Sequence, residues 1–374
     1  MLPRRTTSLL ATLLALLSLA AARSASAQVV NFQDERAPVV EIHDLWRFHT
    51  GDDPDGKLGW ADSGFDDSSW KLLRSDQPWS DQGYKNYTGM AWYRFQVILP
   101  PKHPPLALYI PYISTCYQVF AGGRLIGQLG GLPPHEKVLF SGAGQFINIP
   151  NDLASGGGPL TIAIRVWLWP NFAFVGGGPQ GVTRIGDASL LNQWRSLQLS
   201  DAFRSVSAQN VLLLGYLLAG FAGLGLFLLR PGEREYLWFA ATEIVSAALC
   251  GWTVYFPFHV VWFQGYYALL ALFVLASNIC FPTFLVTLLK ERKGWLYWIA
   301  VASGLIAGLS IIPGALGWIS IPAWLASNIL FSMPFGVCLP LLLYFAARRG
   351  SLDARLLLGP FSLGFGSRAF LLLL

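Results

Sequence analysis

Polar side chains inside apolar stretches are the first residues that could carry chemistry in this chain of 374 residues. Glu243 and Arg368 each lie in a long apolar stretch, where an ionisable group costs roughly 2.5 kcal/mol or more unless it is paired or hydrated. We therefore predict that these two side chains interact; the alternative for Glu243 is a water-filled cavity. Asn278 and Asn328, each followed closely by a proline, are predicted to form hydrogen bonds between helices.

Aromatic and amide side chains in loops form a second candidate group, because they can stack on a ligand ring and hydrogen-bond to its polar groups. Binding residues gather on loops that a rigid scaffold holds in place. This favours loop 76–89 and the segment after the last long strand, whereas the other aromatic residues are expected in the core. The predicted ligand-binding residues are Trp79, Gln82, Tyr84, Tyr87, Trp169 and Asn171.

The sequence carries no recognisable catalytic or metal-binding pattern. It has no nucleophile elbow, no phosphate-cradling loop and no C-x-x-C, and its five histidines show no pair at metal-ligand spacing. Asp52, Asp53 and Asp55 resemble part of a calcium loop, but Pro54 and Gly64 fit it poorly. We expect a solvated turn there, with no metal, no cofactor and no catalytic residue, so that this chain is not itself an enzyme.

A leader is predicted at residues 1–27. Arg4 and Arg5 precede an apolar run, and residues 25–27 form an A-x-A cleavage site, as in a secretory signal peptide; the alternative is an uncleaved anchor. The leader holds three of the positive charges behind the net charge of +5, so no nucleic-acid partner is expected. Only Cys116 lies outside the apolar stretches, which argues against a disulfide framework.

Six apolar stretches organise the second half of the chain. Each approaches or exceeds the ~20 residues that a helix needs to cross a bilayer, which predicts a multi-pass bundle over residues 208–374 in contact with lipid. Lys and Arg occur in the first, third and fifth breaks and not in the second and fourth. By the positive-inside rule, residues 28–186 then lie outside a bacterial inner membrane. The stretches are 208–229, 236–257, 262–289, 295–312, 320–346 and 354–374.

Short strands separated by turn residues predict an all-β sandwich in residues 28–186. Gly122-Gly123 predicts a tight hairpin turn, since both positions can take positive φ. Six strands are predicted with most weight, at 91–99, 106–110, 117–121, 124–128, 145–149 and 160–168.

A connecting helix is predicted over residues 187–207, between the sandwich and the first span. Asp187 can cap it, and its apolar side chains are expected to share one face. The helix is either a rod that runs into the first span or a surface helix resting on the sandwich. The residues of the expected apolar face are Leu190, Leu191, Trp194 and Leu197.

Three motifs of the first half resemble the galactose-binding-like jelly roll that precedes the catalytic domain of family 2 glycoside hydrolases. They are W-A-D-S-G-F-D-D-S-S-W (60–70), G-M-A-W-Y-R (89–94) and V-F-A-G-G-R-L-I-G (119–127). The family usually has Asn-Gly where this chain has Gly122-Gly123. No barrel with two catalytic carboxylates follows, although glycoside hydrolysis needs them. The resemblance therefore implies a module that binds a carbohydrate-like ligand without cleaving it.

An exported jelly roll followed by several spans resembles the bacterial seven-transmembrane receptors with diverse intracellular signalling modules. This resemblance implies the input half of a sensor that acts on a kinase, serine/threonine phosphatase or diguanylate cyclase inside the cell. The sixth stretch ends without a charged or aromatic anchor, so we expect a seventh span and the output domain to follow. The alternatives are a transporter with an accessory outer domain, a tethered glycosidase remnant and an adhesion protein; a homodimer is compatible with each.

Overall fold

The computed structural model describes residues 29–31, 38–42, 44–113 and 115–359. The predicted leader, Arg368 and most of the sixth apolar stretch lie outside the described residues. Within them, an all-β sandwich is followed by a bundle of apolar helices, which confirms the expected fold class. The sandwich is called the β domain below.

The β domain consists of two facing sheets and a short strand, β9, that pairs with a strand of the bundle. All six strands predicted from the sequence are present, with ends that differ by at most two residues. The seven-stranded sheet has the spatial order β4 (Lys71–Arg74), β3 (Leu45–Thr50), β5 (Gly89–Leu99), β11 (Gly158–Leu168), β7 (Cys116–Ala121) and β8 (Arg124–Leu129), with β1 (Val29–Asn31) parallel to β5. The four-stranded sheet has the order β10 (Gln145–Asn148), β6 (Leu106–Ile110), β12 (Thr183–Asp187) and β2 (Val39–Ile42). The remaining pair joins β9 (Leu139–Ser141) to β13 (Val260–Trp262).

Side chains alternate along the strands of the larger sheet. Ala91, Tyr93 and Phe95 of β5 are buried in the core between the two sheets. Successive side chains of a strand point to opposite faces, so Trp92 and Arg94 lie on the outer face of the sheet. Both are nevertheless buried, at 2% and 1% exposure, which means that another part of the chain covers this face.

The predicted hairpin turn connects β7 to β8. Gly122 and Gly123 have φ values of 55° and 85°, which glycine adopts without steric penalty. A side chain at Gly123 would also meet the carboxylate of Asp62, because a Cβ there would lie 2.7 Å from Asp62 Oδ1. The Gly-Gly turn therefore provides both the hairpin geometry and the space for a neighbouring loop.

Five helices among the described residues are long and apolar enough to cross a membrane, and they match the first five apolar stretches. The fourth is interrupted at Ser310, as expected where Pro313 cannot donate a hydrogen bond to the preceding turn. Residues 352–359 are also helical. The helices are α1 (Asn151–Ala154), α2 (Ala188–Ser205), α3 (Ser207–Leu229), α4 (Arg234–Tyr255), α5 (Phe263–Leu288), α6 (Trp295–Leu309), α7 (Ile311–Leu316) and α8 (Ile321–Arg348).

Small residues and amides hold the bundle together. Gly223 of α3 faces Phe239 and Ala240 of α4, and a Cβ there would lie 2.7 Å from the phenyl ring. Asn278 Nδ2 on α5 donates to the carbonyl of Gly304 on α6 at 2.7 Å, and Asn328 Nδ2 on α8 donates to the carbonyl of Ala307 at 2.8 Å. Glu243 is half-buried on α4; its predicted partner lies outside the described residues.

Successive breaks between the helices lie at alternate ends of the bundle. The breaks with Lys or Arg lie at one end, and the breaks without them lie at the other. The second break follows Phe256 and leads into β13, which pairs with the β domain. The fourth break reaches Gly317, which lies against Trp169 of the β domain. At the opposite end, Arg349 of the fifth break pairs with Glu291 of the third at 2.7 Å. The two breaks without Lys or Arg therefore lie on the side of the β domain.

The connecting helix combines both expected arrangements. Asp187 caps α2, and its carboxylate accepts hydrogen bonds from the Ser189 and Leu190 N–H groups at 2.7 and 3.4 Å. Leu191 is fully buried against the sandwich, and Trp194 packs edge-on against Tyr109 at 4.6 Å.

Helical hydrogen bonds continue across Val206 into α3. The predicted apolar face is partly wrong, because only the positions facing the smaller sheet are covered. Leu190 and Leu197 are 36% and 64% exposed.

Candidate functional site

Residues 51–70, called the covering loop, fold back across the outer face of the seven-stranded sheet. Successive backbone hydrogen bonds shape it into tight turns, among them Asp62 N–H to Gly59 O at 2.9 Å and Trp70 N–H to Asp67 O at 3.0 Å. The Asp53 carboxylate accepts from the Leu58 and Trp60 N–H groups, both at 3.1 Å. Hydrogen bonds within the loop therefore hold these turns in place.

Two arginines on the outer face hold the covering loop. Arg94 Nε donates to Asp67 Oδ2 at 2.9 Å, and its other nitrogens donate to the carbonyls of Trp60 and Asp62. Arg165 makes a two-point contact with Asp52, at 2.7 Å from Nε and 2.6 Å from Nη2. Such bidentate pairs fix geometry as well as charge. The expectation of a solvated turn at 52–55 is thus wrong for Asp52 and Asp53, which have buried protein partners.

An aromatic layer fills the space between the loop and the sheet. Trp60 packs edge-on against Trp70 and Trp92, with ring centroids 5.4 and 5.9 Å apart. Phe120 stacks on Trp92 at 5.5 Å. The motifs at 60–70 and 89–94 are therefore two halves of one layer, which gives a physical reason for their joint occurrence.

A cleft of about 280 Å³ remains beside this layer. Its floor is the outer face of the sheet and its opposite wall is the covering loop. The size lies just below the roughly 300–1,000 Å³ of typical small-molecule pockets. The lining residues with functional groups are Asp53, Asp62, Trp92, Gln118, Phe120 and Arg165, and Leu125 lies at the rim.

The four predicted ligand-binding residues of loop 76–89 all contact other residues of the β domain. Trp79 is fully buried in the core, and its indole N–H donates to the Tyr87 carbonyl at 3.2 Å. Gln82 clamps the loop, since its amide accepts from Arg74 N–H at 2.7 Å and donates to Arg74 and Gln77 carbonyls at 3.0 Å. The indole N–H of Trp79 and the amide of Gln82 are thus engaged within the protein.

The two tyrosines of this loop are half-buried beside the core. Tyr84 packs against Phe48 at 4.8 Å and under Lys71. The Tyr87 hydroxyl donates to the Met90 carbonyl, and burial raises its pKa above the ordinary value. Loop 76–89 therefore braces the core, and the cleft lies elsewhere.

Trp169 and Asn171 lie where the β domain meets the helices. Trp169 is 9% exposed and packs edge-on against Phe263 of α5 at 5.4 Å. Asn171 and Trp169 both contact Gly317, where a Cβ would lie 2.8 Å from the indole ring. Their position after a strand end predicts a ligand site, but this strand end faces the bundle.

The contact between the β domain and the bundle is called the docking layer. Strand β9 pairs antiparallel with β13, with Phe140 opposite Val261, and Phe263 N–H donates to Val138 O at 3.0 Å. Phe140 stacks on Phe256 at 5.0 Å, and Phe172 packs against Phe263 at 5.1 Å. Phe263 and Ile321 of the bundle belong to the same buried cluster as the β-domain core. The docking layer thus makes the two parts of the chain share one core.

Comparisons with known proteins reach only part of the chain. No protein-family model matches it, and no curated protein matches it. Among solved structures, a β-glucuronidase from Bacteroides uniformis shares 26% identity over 39% of this chain and 17% of its own, with a TM-score of 0.31. A family 2 glycosyl hydrolase from Bacteroides cellulosilyticus shares 20% identity over 40% of this chain and 20% of its own, with a TM-score of 0.32.

A third structure, a Ruminococcus gnavus β-glucuronidase in complex with uronic deoxynojirimycin, shares 15% identity over 43% of this chain and 31% of its own, with a TM-score of 0.32. This chain thus spans less than a third of each of these proteins. At such TM-scores the structural likeness supports no statement about the activity of this chain.

Three residues that line the cleft are not among the ligand-binding residues predicted from the sequence: Asp62, Gln118 and Arg165. The sequence offers one signal, because Arg94 and Arg165 each lie in a predominantly apolar strand. A buried charged group needs a counter-charge, and the acidic run at 52–67 contains the carboxylates that provide it. The pairing joins positions 113 residues apart for Asp52 and Arg165, which no local pattern encodes.

Proposed function

We propose that this chain is the ligand-binding and membrane part of a bacterial receptor. In this proposal the β domain lies outside the inner membrane and binds a small, carbohydrate-like ligand. The docking layer passes the resulting change to the helices. The chain would then be of the seven-transmembrane receptor type with intracellular signalling modules, whose arrangement its sequence resembles.

The observation that carries the proposal is the docking layer. A flexible tether would leave a binding domain and a bundle mechanically independent, whereas here β13 of the bundle extends β9 of the β domain. Interior packing is close and transmits displacement rather than absorbing it. In this proposal a shift of β11 in the larger sheet passes through Phe172 to Phe140 and Phe263, and Phe140 contacts Phe256 at the end of α4.

The proposed orientation of the chain in the membrane follows from the distribution of Lys and Arg among the breaks. The breaks on the far side of the bundle carry Arg230, Arg234, Lys290, Arg292 and Arg349, whereas those beside the β domain carry no Lys or Arg. The positive-inside rule assigns the charged side to the cytoplasm. A receptor needs this arrangement, with its binding domain outside and its output side within.

Hydrogen exchange of the full chain in lipid nanodiscs tests the proposal. A mixture of neutral methyl hexopyranosides should change the exchange of the amides in β9, β13 and the far break at 289–294. In Phe140→Ala the sugars should still bind, but the change at 289–294 should be lost. Uptake of the sugars by proteoliposomes would instead identify a transporter, and binding without any change beyond the β domain would fit an adhesion protein.

A further inference from the structure

The cleft beside the covering loop has the space and the groups of a binding site. Gly56, Gly59 and Gly123 line it without side chains. A Cβ at Gly59 or Gly123 would lie 3.1 or 2.7 Å from the Asp62 carboxylate, so the absence of side chains there leaves Asp62 room at the wall. The covering loop and the Gly-Gly turn therefore keep this volume open.

Uncommitted donors and an acceptor line the cleft. Arg165 uses Nε and Nη2 for Asp52 and one Nη1 proton for Gln118 Oε1 at 3.0 Å. Of its five N–H groups two have no partner among the described residues, and neither does the Gln118 amide nitrogen. The Asp62 carboxylate, on an exposed residue, accepts no hydrogen bond from the part of the chain that the structure describes.

Apolar surface completes the lining. Phe120 is partly exposed and Leu125, at the rim, is 44% exposed. Trp92, in the floor, is 2% exposed, and its indole N–H has no acceptor within the described residues. The indole N–H atom is itself enclosed, so Trp92 contributes an apolar floor and not a donor to the cleft. A hydroxyl-rich ring with one apolar face matches this combination of groups.

The charge of the cleft lining determines whether a neutral or an anionic ring can bind. Arg165 is the one cationic side chain in the described lining, and Asp52 already neutralises it. Asp53 and Asp62 then leave the cleft negative. A ligand carboxylate would be repelled, whereas hydroxyl groups can accept from Gln118 and Arg165 and donate to Asp62.

We propose that the cleft binds a single neutral pyranose ring and discriminates against hexuronates. This inference rests on the proposed function, since it names the ligand class and the site of the receptor. Asp62 and Gln118 are the specificity-determining residues. The first accepts from ligand hydroxyls and repels carboxylates, and the second donates to the ring while bracing Arg165.

Binding to the purified full chain tests the proposal. The probes are the methyl glycosides of glucose, galactose and mannose, N-acetylglucosamine, and glucuronate at millimolar concentration, detected by saturation-transfer NMR and by tryptophan fluorescence. At least one neutral sugar should bind, and glucuronate should bind roughly tenfold more weakly than that sugar. No response to any neutral sugar, or tighter binding of glucuronate, would overturn the proposal.

Two variants locate the site. Asp62→Asn should weaken neutral-sugar binding roughly three- to tenfold, because a charge-assisted acceptor is lost. It should also reduce the ratio of neutral-sugar affinity to glucuronate affinity, because the repulsion of the carboxylate is lost. Gln118→Glu keeps an oxygen for Arg165 but removes the amide donor. It should weaken neutral-sugar binding to a similar extent and increase the ratio of neutral-sugar affinity to glucuronate affinity. Asp55→Asn is the matched control, since it removes the same charge from the same loop outside the cleft, and should bind like the wild type.

The outcomes separate this inference from the proposed function. If Asp62→Asn and Gln118→Glu keep native circular dichroism and bind neutral sugar like the wild type, the ligand lies elsewhere and the cleft proposal fails. If the variants lose binding but the wild type shows no change of hydrogen exchange in β9 and β13, the cleft proposal stands and the receptor proposal fails.

Discussion

The contact under the covering loop and the docking layer both contain aromatic rings, but they differ in their polar groups. Under the covering loop, buried arginines pair with Asp52 and Asp67 beside the aromatic layer, and further polar groups line a cleft. In the docking layer, aromatic rings and a strand pair fill the contact. Polar contacts specify one arrangement and leave donors for a ligand, whereas apolar contacts supply adhesion. The first surface thus fits recognition and the second fits mechanical attachment.

The largest expected effect is at the docking layer. Phe263→Ala should lower the free energy of unfolding by about 4 kcal/mol, because a buried ring that contacts Trp169 and Phe172 leaves a cavity. The matched control is Phe174→Ala, since Phe174 lies at the rim of the same layer and is 54% exposed. Thermal unfolding of the full chain, followed by tryptophan fluorescence, measures both. Equal losses in the two variants would mean that the docking layer is not a shared core.

A smaller loss is expected under the covering loop. Asp67→Asn should lower stability by about 3 kcal/mol, because it leaves Arg94, which is 1% exposed, without an anionic partner. The neighbouring Asp66→Asn removes the same charge from an exposed position of the same motif and should change Tm little. A Tm drop in Asp66→Asn as large as that in Asp67→Asn would show that the motif acts through net charge and not through the buried pair.

A double-mutant cycle between these two positions tests whether the surfaces are independent. Asp67 and Phe263 share no contact partner among the described residues, so their effects should add within about 0.5 kcal/mol in the absence of ligand. The changes in the free energy of unfolding, obtained from thermal unfolding of the single and double variants, give the coupling energy. A coupling well above that limit would remove the distinction between a recognition surface and an attachment surface, because the two would then respond as one unit.

The smallest expected effect concerns α2, the helix that joins the β domain to the first membrane span. Hydrogen bonds from Ser189 and Leu190 hold the pKa of Asp187 below its ordinary value of 3.8. The stabilisation by the cap is therefore present above that value and is lost as the pH falls through the lowered pKa. Asp187→Ala should lower Tm at neutral pH, and the difference from the wild type should shrink as the pH falls below 3.8.

The control for this pH series is Asp201→Ala, which removes an exposed carboxylate near the other end of α2. It should leave Tm nearly unchanged across the series. A Tm difference for Asp187→Ala that stays constant with pH would show that the carboxylate charge does not contribute to the cap.

Local patterns of the sequence determined the elements of this protein. The apolar stretches, the six strands, the Gly122-Gly123 turn and the Asp187 cap each depend on residues within a few positions of one another. Periodicity, turn propensity and capping are properties of such short segments. They therefore follow from the sequence without knowledge of the fold.

Only the tertiary structure decided which surfaces these elements present. Trp79 and Trp60 are both tryptophans in loops, yet one lies in the central core and the other forms the aromatic layer beside the cleft. Likewise, Trp169 follows a strand end as a binding residue would, but β9–β13 pairing brings the bundle against it. These outcomes depend on contacts between segments far apart in sequence. Such contacts are selected by the packing of the whole chain, because no short segment contains both partners.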